Sequence, residues 1–207
     1  MSKKELAQKA WSLVSDTSRV CKPLLWLRDT DSCLPMAPEL LPSLRQALHT
    51  MIELPEAVEA LCEKMLSTYD RAIKKTWVGV GAQPRSSRLG NRTKEVGLIR
   101  ALDYAESKRE EFKADADLVK KEWHKSKDWS LLFSLTKKFI DCLDWGEFVI
   151  ENARGEASNL VLESVELLEA IEKNKSEQAV REEIGDVFYN LMACCLSLRI
   201  DANDIMR

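Results

Sequence analysis

The chain has 207 residues, 45% apolar and 31% charged, with 34 acids against 31 bases and a net charge of −3. That balance suits one soluble domain, or one domain with a smaller appendage, and excludes a disordered chain. The near-neutral charge gives no reason to expect nucleic acid, and no apolar run approaches the roughly 20 residues of a membrane span.

The start, Met-Ser-Lys-Lys-Glu, has no apolar stretch behind it, so no signal peptide is expected. The first helix is expected near Lys4–Val20, with Leu6, Ala10, Leu13 and Val14 on one face and Pro23 stopping it. Residues 22–42 hold Pro23, Pro35, Pro38 and Pro42 and read as an irregular connection. Helices follow near Leu40–Leu54 and Pro55–Trp77, the second with proline at its first position. The glycine-, serine- and arginine-rich stretch 78–92 reads as a loop. A long amphipathic helix is then marked by Val96, Ile99, Leu102, Ala105, Phe112, Ala116, Val119 and Trp123.

Ser126–Asp128 breaks this helix, with Asp128 as an N-cap for a short helix carrying Leu131, Leu132, Leu135, Phe139 and Cys142. The spacing predicts two more helices, near Glu147–Glu172 and Glu177–Arg199, joined by Lys173-Asn174-Lys175-Ser176. Asp201 caps one last helix, and the ending at Arg207 reads as a truncated chain or a very short final turn. Proline is absent after residue 84 and no period-two alternation is visible, so the fold class is all-α, an antiparallel helical bundle. Trp11, Trp26, Trp77 and Trp123 are expected as core or interface anchors.

Six cysteines form no CxxC pair, and the two histidines have no partner at ligand spacing. The thiols are therefore expected to pack as small hydrophobes in a reducing, cytoplasmic protein. Charge is uneven, because residues 151–207 carry 12 acids and 6 bases. The chemistry is to be sought there. Glu163 and Glu166 share one side of their helix, and Glu183 and Asp186 repeat the spacing on the next. Around Glu183 and Asp186 the helix is apolar on nearly every side, from Val180 and Ile184 to Leu191 and Cys195. These acids therefore lie in a narrow polar strip, and something cationic should meet them. A four-residue connection sets the two helices antiparallel, so four carboxylates can face one another. An all-oxygen set suits Mg²⁺ or Mn²⁺, which complete their shells with substrate phosphates.

The run Leu162-Glu163-Ser164-Val165-Glu166-Leu167-Leu168-Glu169-Ala170-Ile171, followed by Arg181-Glu182-Glu183-Ile184-Gly185-Asp186-Val187, resembles the MazG family. That family belongs to the all-α nucleoside triphosphate pyrophosphohydrolases, with dCTPases and dimeric dUTPases as relatives. The pattern is EExxE then EExxD; the second half is present in full, and Leu162 replaces the leading glutamate of the first. The resemblance covers residues 129–207, a MazG-like metal-binding helical domain, and leaves 1–125 as a helical N-terminal extension. The expected reaction is NTP or dNTP + H₂O → NMP or dNMP + pyrophosphate, in a house-cleaning or nucleotide-pool role. The resemblance implies a homo-oligomer, dimer or tetramer, with Mg²⁺ held by Glu163, Glu166, Glu183 and Asp186. It makes Asn190 a candidate for sugar or base, Arg154, Lys173 and Lys175 candidates for phosphate, and Trp145 an aromatic near the base. Two alternatives stand beside this reading: a non-catalytic helical scaffold that retains the acids, and a nucleotide sensor that binds without hydrolysis. In the front half, Ile52–Leu61 echoes the spacing of Leu162–Ile171, which is read as coincidence on an amphipathic helix.

Overall fold

Local signals in the sequence set most of the helix ends. In the computed structural model, which describes residues 1–25, 40–81, 90–143 and 153–206, eight helices and no strand appear among the described residues. They are α1 (Lys3–Leu24), α2 (Leu40–Ile52), α3 (Ala57–Gly81), α4 (Gly90–Ser126), α5 (Trp129–Leu143), α6 (Ala153–Glu172), α7 (Glu177–Ser197) and α8 (Ala202–Met206). None of the described helices is long and apolar enough to cross a membrane.

Helix α1 starts in a capping box, with the Ser2 side chain accepting from the Glu5 N–H and the Glu5 carboxylate accepting from the Ser2 N–H. It runs through Pro23 to Leu24, beyond the expected stop. A proline in the last turn removes only one hydrogen bond, and fully buried Cys21 and Leu24 hold that turn on the core. Pro55 lies ahead of α3 rather than in its first turn, next to Glu56 in a left-handed conformation (φ 54°). The stretch expected as a loop over 78–92 is partly helical: α3 extends to Gly81 and α4 begins at Gly90. Asp128 caps α5 as expected, accepting from the Ser130 N–H at 2.8 Å.

The join between α6 and α7 is specified residue by residue. Asn174 adopts φ 54°, the Asn174 N–H donates to the Ile171 carbonyl, and the Lys175 N–H donates to the Ala170 carbonyl at 3.0 Å. This is a Schellman ending with asparagine in the left-handed position. Ser176 then caps α7 by accepting from the Ala179 N–H at 3.2 Å. The same ending closes α7, with Arg199 at φ 59° and the Ile200 N–H donating to the Cys195 carbonyl. Asp201 accepts from the Asn203 N–H at 2.7 Å and so starts α8.

Helix α1 packs along α6 and α3 packs along α7, so the helices that carry the acids are both covered by the front half of the chain. One apolar cluster runs through both halves. Its aromatic centre joins Tyr69 of α3, Phe112 of α4, Phe139 of α5 and Tyr189 of α7, with Phe112–Phe139 centroids 5.4 Å apart and Phe139–Tyr189 5.8 Å apart. Trp123 is buried as expected and meets Trp129 edge-on at 5.3 Å. Trp11 is 56% exposed on α1 and so is not a core anchor. Trp26 and the Trp77 side chain lie outside the described residues. Cys21, Cys62, Cys194 and Cys195 are free and buried, and burial pushes the Cys21, Cys62 and Cys195 thiols up to about 12. Thiols of that kind are inert packing groups.

Candidate metal centre

The Schellman ending and the Ser176 cap fold α7 back along α6 and set their acids side by side. Glu163 of α6 and Glu183 and Asp186 of α7 each place a carboxylate oxygen within 4.8 Å of the other two. All three are half-buried. Around them α7 is sealed, with Ile184, Gly185, Val187, Phe188, Leu191 and Ala193 all buried. The narrow acidic strip expected from the helix pattern is therefore present. On the far side of α6, buried Ser164 accepts a hydrogen bond from Thr17 of α1 at 3.2 Å, which fixes the rotation of the helix that presents Glu163.

Glu166 does not join the trio. It is exposed, one turn along α6 from Glu163, yet its charge is felt by both Glu163 and Glu183. Burial, reinforced by Asp186, Glu166 and Glu183 and opposed by Lys64, pushes the Glu163 carboxyl up to about 7. Burial also raises Glu183, against the pull of Lys175. Three carboxylates are thus held closer than their charge favours. This crowding is what a divalent cation relieves, and the donor set is all hard oxygen, so the residues present fit Mg²⁺ or Mn²⁺.

The cation that the acids require is supplied by the front half. Lys64 of α3 forms a salt bridge with Asp186, and Lys175 approaches Glu183 at 3.7 Å. Lys64 was not legible as a partner, because a lysine on an amphipathic helix is ordinarily a solvated one. The loop lysines separate: Lys175 reaches the acids, whereas Lys173 pairs with Glu169, a solvated acid on its own helix. Asn190 is buried and its side-chain amide donates to the Asp186 carbonyl at 2.9 Å, so it braces the backbone of the acid-bearing turn. Arg154 is exposed in the first turn of α6, nine residues before Glu163, or about 13 Å along the helix axis. Trp145 lies outside the described residues.

Gly185 explains how α3 comes close enough to deliver Lys64. A Cβ at this position would lie 2.6 Å from the Ala60 carbonyl oxygen and 3.2 Å from Lys64 Cβ. Only a glycine between Glu183 and Asp186 lets the two helices touch backbone to side. Gly185→Ala gains about 1 kcal/mol of helix propensity but forces α3 away, so a net destabilisation of about 1–3 kcal/mol is expected. Urea unfolding of the two proteins checks it, and an unchanged or higher midpoint would refute the close-approach argument.

Beside the trio, α3 and α7 enclose a cleft of about 340 Å³ with Asp186 on its wall. Lys64, Ser67 and Arg71 of α3 and Gln178 and Arg181 of α7 line it. Arg181 is held by Glu63 at 2.7 and 2.8 Å and by Glu56. The echo motif of the front half is therefore not a second acidic centre: Glu56 meets Arg181, Glu59 meets His124 at 2.6 Å, and Glu53 meets Lys9 at 2.5 Å.

Residues 155–207 match the family model of the MazG nucleotide pyrophosphohydrolase domain. The C-terminal stretch is thus MazG-like, and the match contains all four acids and Asn190 but none of α1 to α5. No curated protein and no solved structure matches the chain.

Proposed function

We propose that the chain is a divalent-metal-dependent nucleoside triphosphate pyrophosphohydrolase that cleaves between the α- and β-phosphates. The observation that carries this reading is the convergence of Glu163, Glu183 and Asp186 inside the segment that matches the MazG model. Those three carboxylates would hold Mg²⁺ or Mn²⁺. The bound metal would neutralise phosphate charge and make a water more acidic. Glu166, exposed beside the trio, orients the attacking water and takes its proton as the water oxygen bonds to the α-phosphorus. The bond from the α-phosphorus to the bridging oxygen breaks, and pyrophosphate leaves with the electron pair. Lys175 faces the same charge and serves phosphate, while Asn190, Arg154 and Trp145 are the candidates for nucleotide contact.

In this reading residues 129–207 supply the acids and residues 1–125 complete the bundle by covering them. Leu162 and Val165 are 61% and 43% exposed on α6 beside the acids, an apolar edge suited to a second copy, in line with a dimer or tetramer. The free thiols of Cys21, Cys62, Cys194 and Cys195 suit the reducing cytoplasmic setting that a nucleotide-pool role would have.

The test is pyrophosphate release from a panel of NTPs and dNTPs, with and without Mg²⁺ or Mn²⁺, for wild type and Glu183→Gln. Metal-dependent release of pyrophosphate and monophosphate that the substitution abolishes is the expected result. Silence across the panel from folded protein would sink the hydrolase and leave the scaffold or sensor.

A further inference from the structure

We propose that the α3–α7 cleft seats the leaving pyrophosphate, held by Lys64 and Arg71 from the front half of the chain. The inference rests on reading the carboxylates as a metal–triphosphate centre, and adds to it a phosphate subsite outside the MazG-like segment. The first argument is position. Asp186 belongs both to the carboxylate trio and to the cleft wall, so a phosphate chain that starts at the trio continues into the cleft.

The second argument is charge. Three basic side chains line the cleft, and they are not equivalent. Arg181 is already satisfied by Glu63 and Glu56. Arg71 is exposed, donates to the Thr68 hydroxyl at 3.1 Å, and has no carboxylate in ion-pair range among the described residues. Among the described residues Lys64 has Asp186 alone as its ion-pair partner, and once Asp186 serves a divalent cation that ammonium is available to an anion. Of the cleft's acids, Glu63 is taken by Arg181 and Glu182 accepts from Gln178 at 3.1 Å. Glu182 keeps its own charge, since Gln178 is neutral, and Lys64 and Arg71 are the basic side chains of the cleft left to meet an anion once Asp186 holds a metal.

The third argument is spacing. Residues 64 and 71 are two turns apart on one side of α3, about 10 Å along its axis, which a diphosphate spans between two extended basic side chains. The cleft, at about 340 Å³, falls in the size range of small-ligand pockets, roughly 300–1,000 Å³. Arginine suits this place because its planar fork pairs with two phosphate oxygens at once.

The experiment titrates the full-length protein with inorganic pyrophosphate in excess Mg²⁺ by calorimetry, for wild type, Arg71→Ala and Arg71→Lys. Mn²⁺ binding without pyrophosphate is measured on the same proteins. Arg71→Ala is expected to weaken pyrophosphate about tenfold, with partial recovery in Arg71→Lys and unchanged Mn²⁺ affinity. Equal pyrophosphate affinity in wild type and Arg71→Ala overturns the inference, as does a wild type that binds none. Because binding is read without turnover, the two readings fail separately. An inactive chain whose pyrophosphate affinity still depends on Arg71 loses the hydrolase and keeps the subsite. An active chain indifferent to Arg71 does the reverse.

Discussion

Replacing Glu163 with glutamine is expected to abolish turnover and, at the same time, to stabilise the metal-free protein. Loss of a carboxylate from a three-acid centre removes the metal's contribution to the transition state, several kcal/mol, or about a thousandfold or more in rate. The stability effect follows from the crowding at the same position. Burial and the neighbouring Asp186, Glu166 and Glu183 lift the folded-state carboxyl from 4.5 to about 7. A raised carboxyl stabilises the fold fully at pH values below its unfolded pKa, where it is protonated in both states. That contribution is lost as pH rises toward and through 7, because the folded protein must then carry the charge. Glu163 is half-buried, so solvent screening reduces the effect to about 1 kcal/mol. In EDTA at pH 8, Glu163→Gln should therefore melt about 2–4 °C higher than wild type, and at pH 4 the two should converge. Saturating Mg²⁺ should reverse the order, since a ligand at a hundred times its Kd adds about 2.7 kcal/mol to the protein that binds it. A variant that melts lower than wild type in EDTA at pH 8 would show that Glu163 serves structure and not a site.

The contrast between Glu163 and Lys64 shows what the sequence could and could not reveal. The acids were legible because two helices repeat a three-residue spacing on either side of a short, well-capped turn, and because apolar residues enclose the second pair. Asn174 and Ser176 even specify how the chain reverses. The need for a cation was equally legible, as burying carboxylates alone is costly. Its source was not. Lys64 lies about a hundred residues before Glu163 in the chain, and its place beside Asp186 depends on Gly185 letting Ala60 approach. That is a tertiary relation which no local period encodes. The difference between Glu163 and Glu166 was hidden for the same reason: both share a side of α6, and only the packed neighbours decide that one turns inward and the other stays exposed. Pro23 misled because a breaker rule ignores how strongly Cys21 and Leu24 are held.

Residues 129–207, produced alone, are expected to lack a cooperative unfolding transition although they contain every acid of the centre. Helix α6 would lose α1, which packs along it, and with it the Thr17–Ser164 hydrogen bond. Helix α7 would lose α3, and Phe139 would lose the rings of Tyr69 and Phe112. Each large side chain returned to water forfeits about 1.5–3 kcal/mol, so a handful exceeds the whole stability of an ordinary domain, about 5–15 kcal/mol. The carboxylates would also lose Lys64, which raises the cost of keeping Glu163, Glu183 and Asp186 together. Circular dichroism melts and Mn²⁺ titration of the fragment check this. The expected result is a non-cooperative melt with no tight Mn²⁺ binding, and recovery of both when residues 1–127 are added in trans. A fragment that melts sharply and binds Mn²⁺ by itself would make the front half an appendage. It would also remove the reason for α3 and α7 to be packed as closely as Gly185 allows.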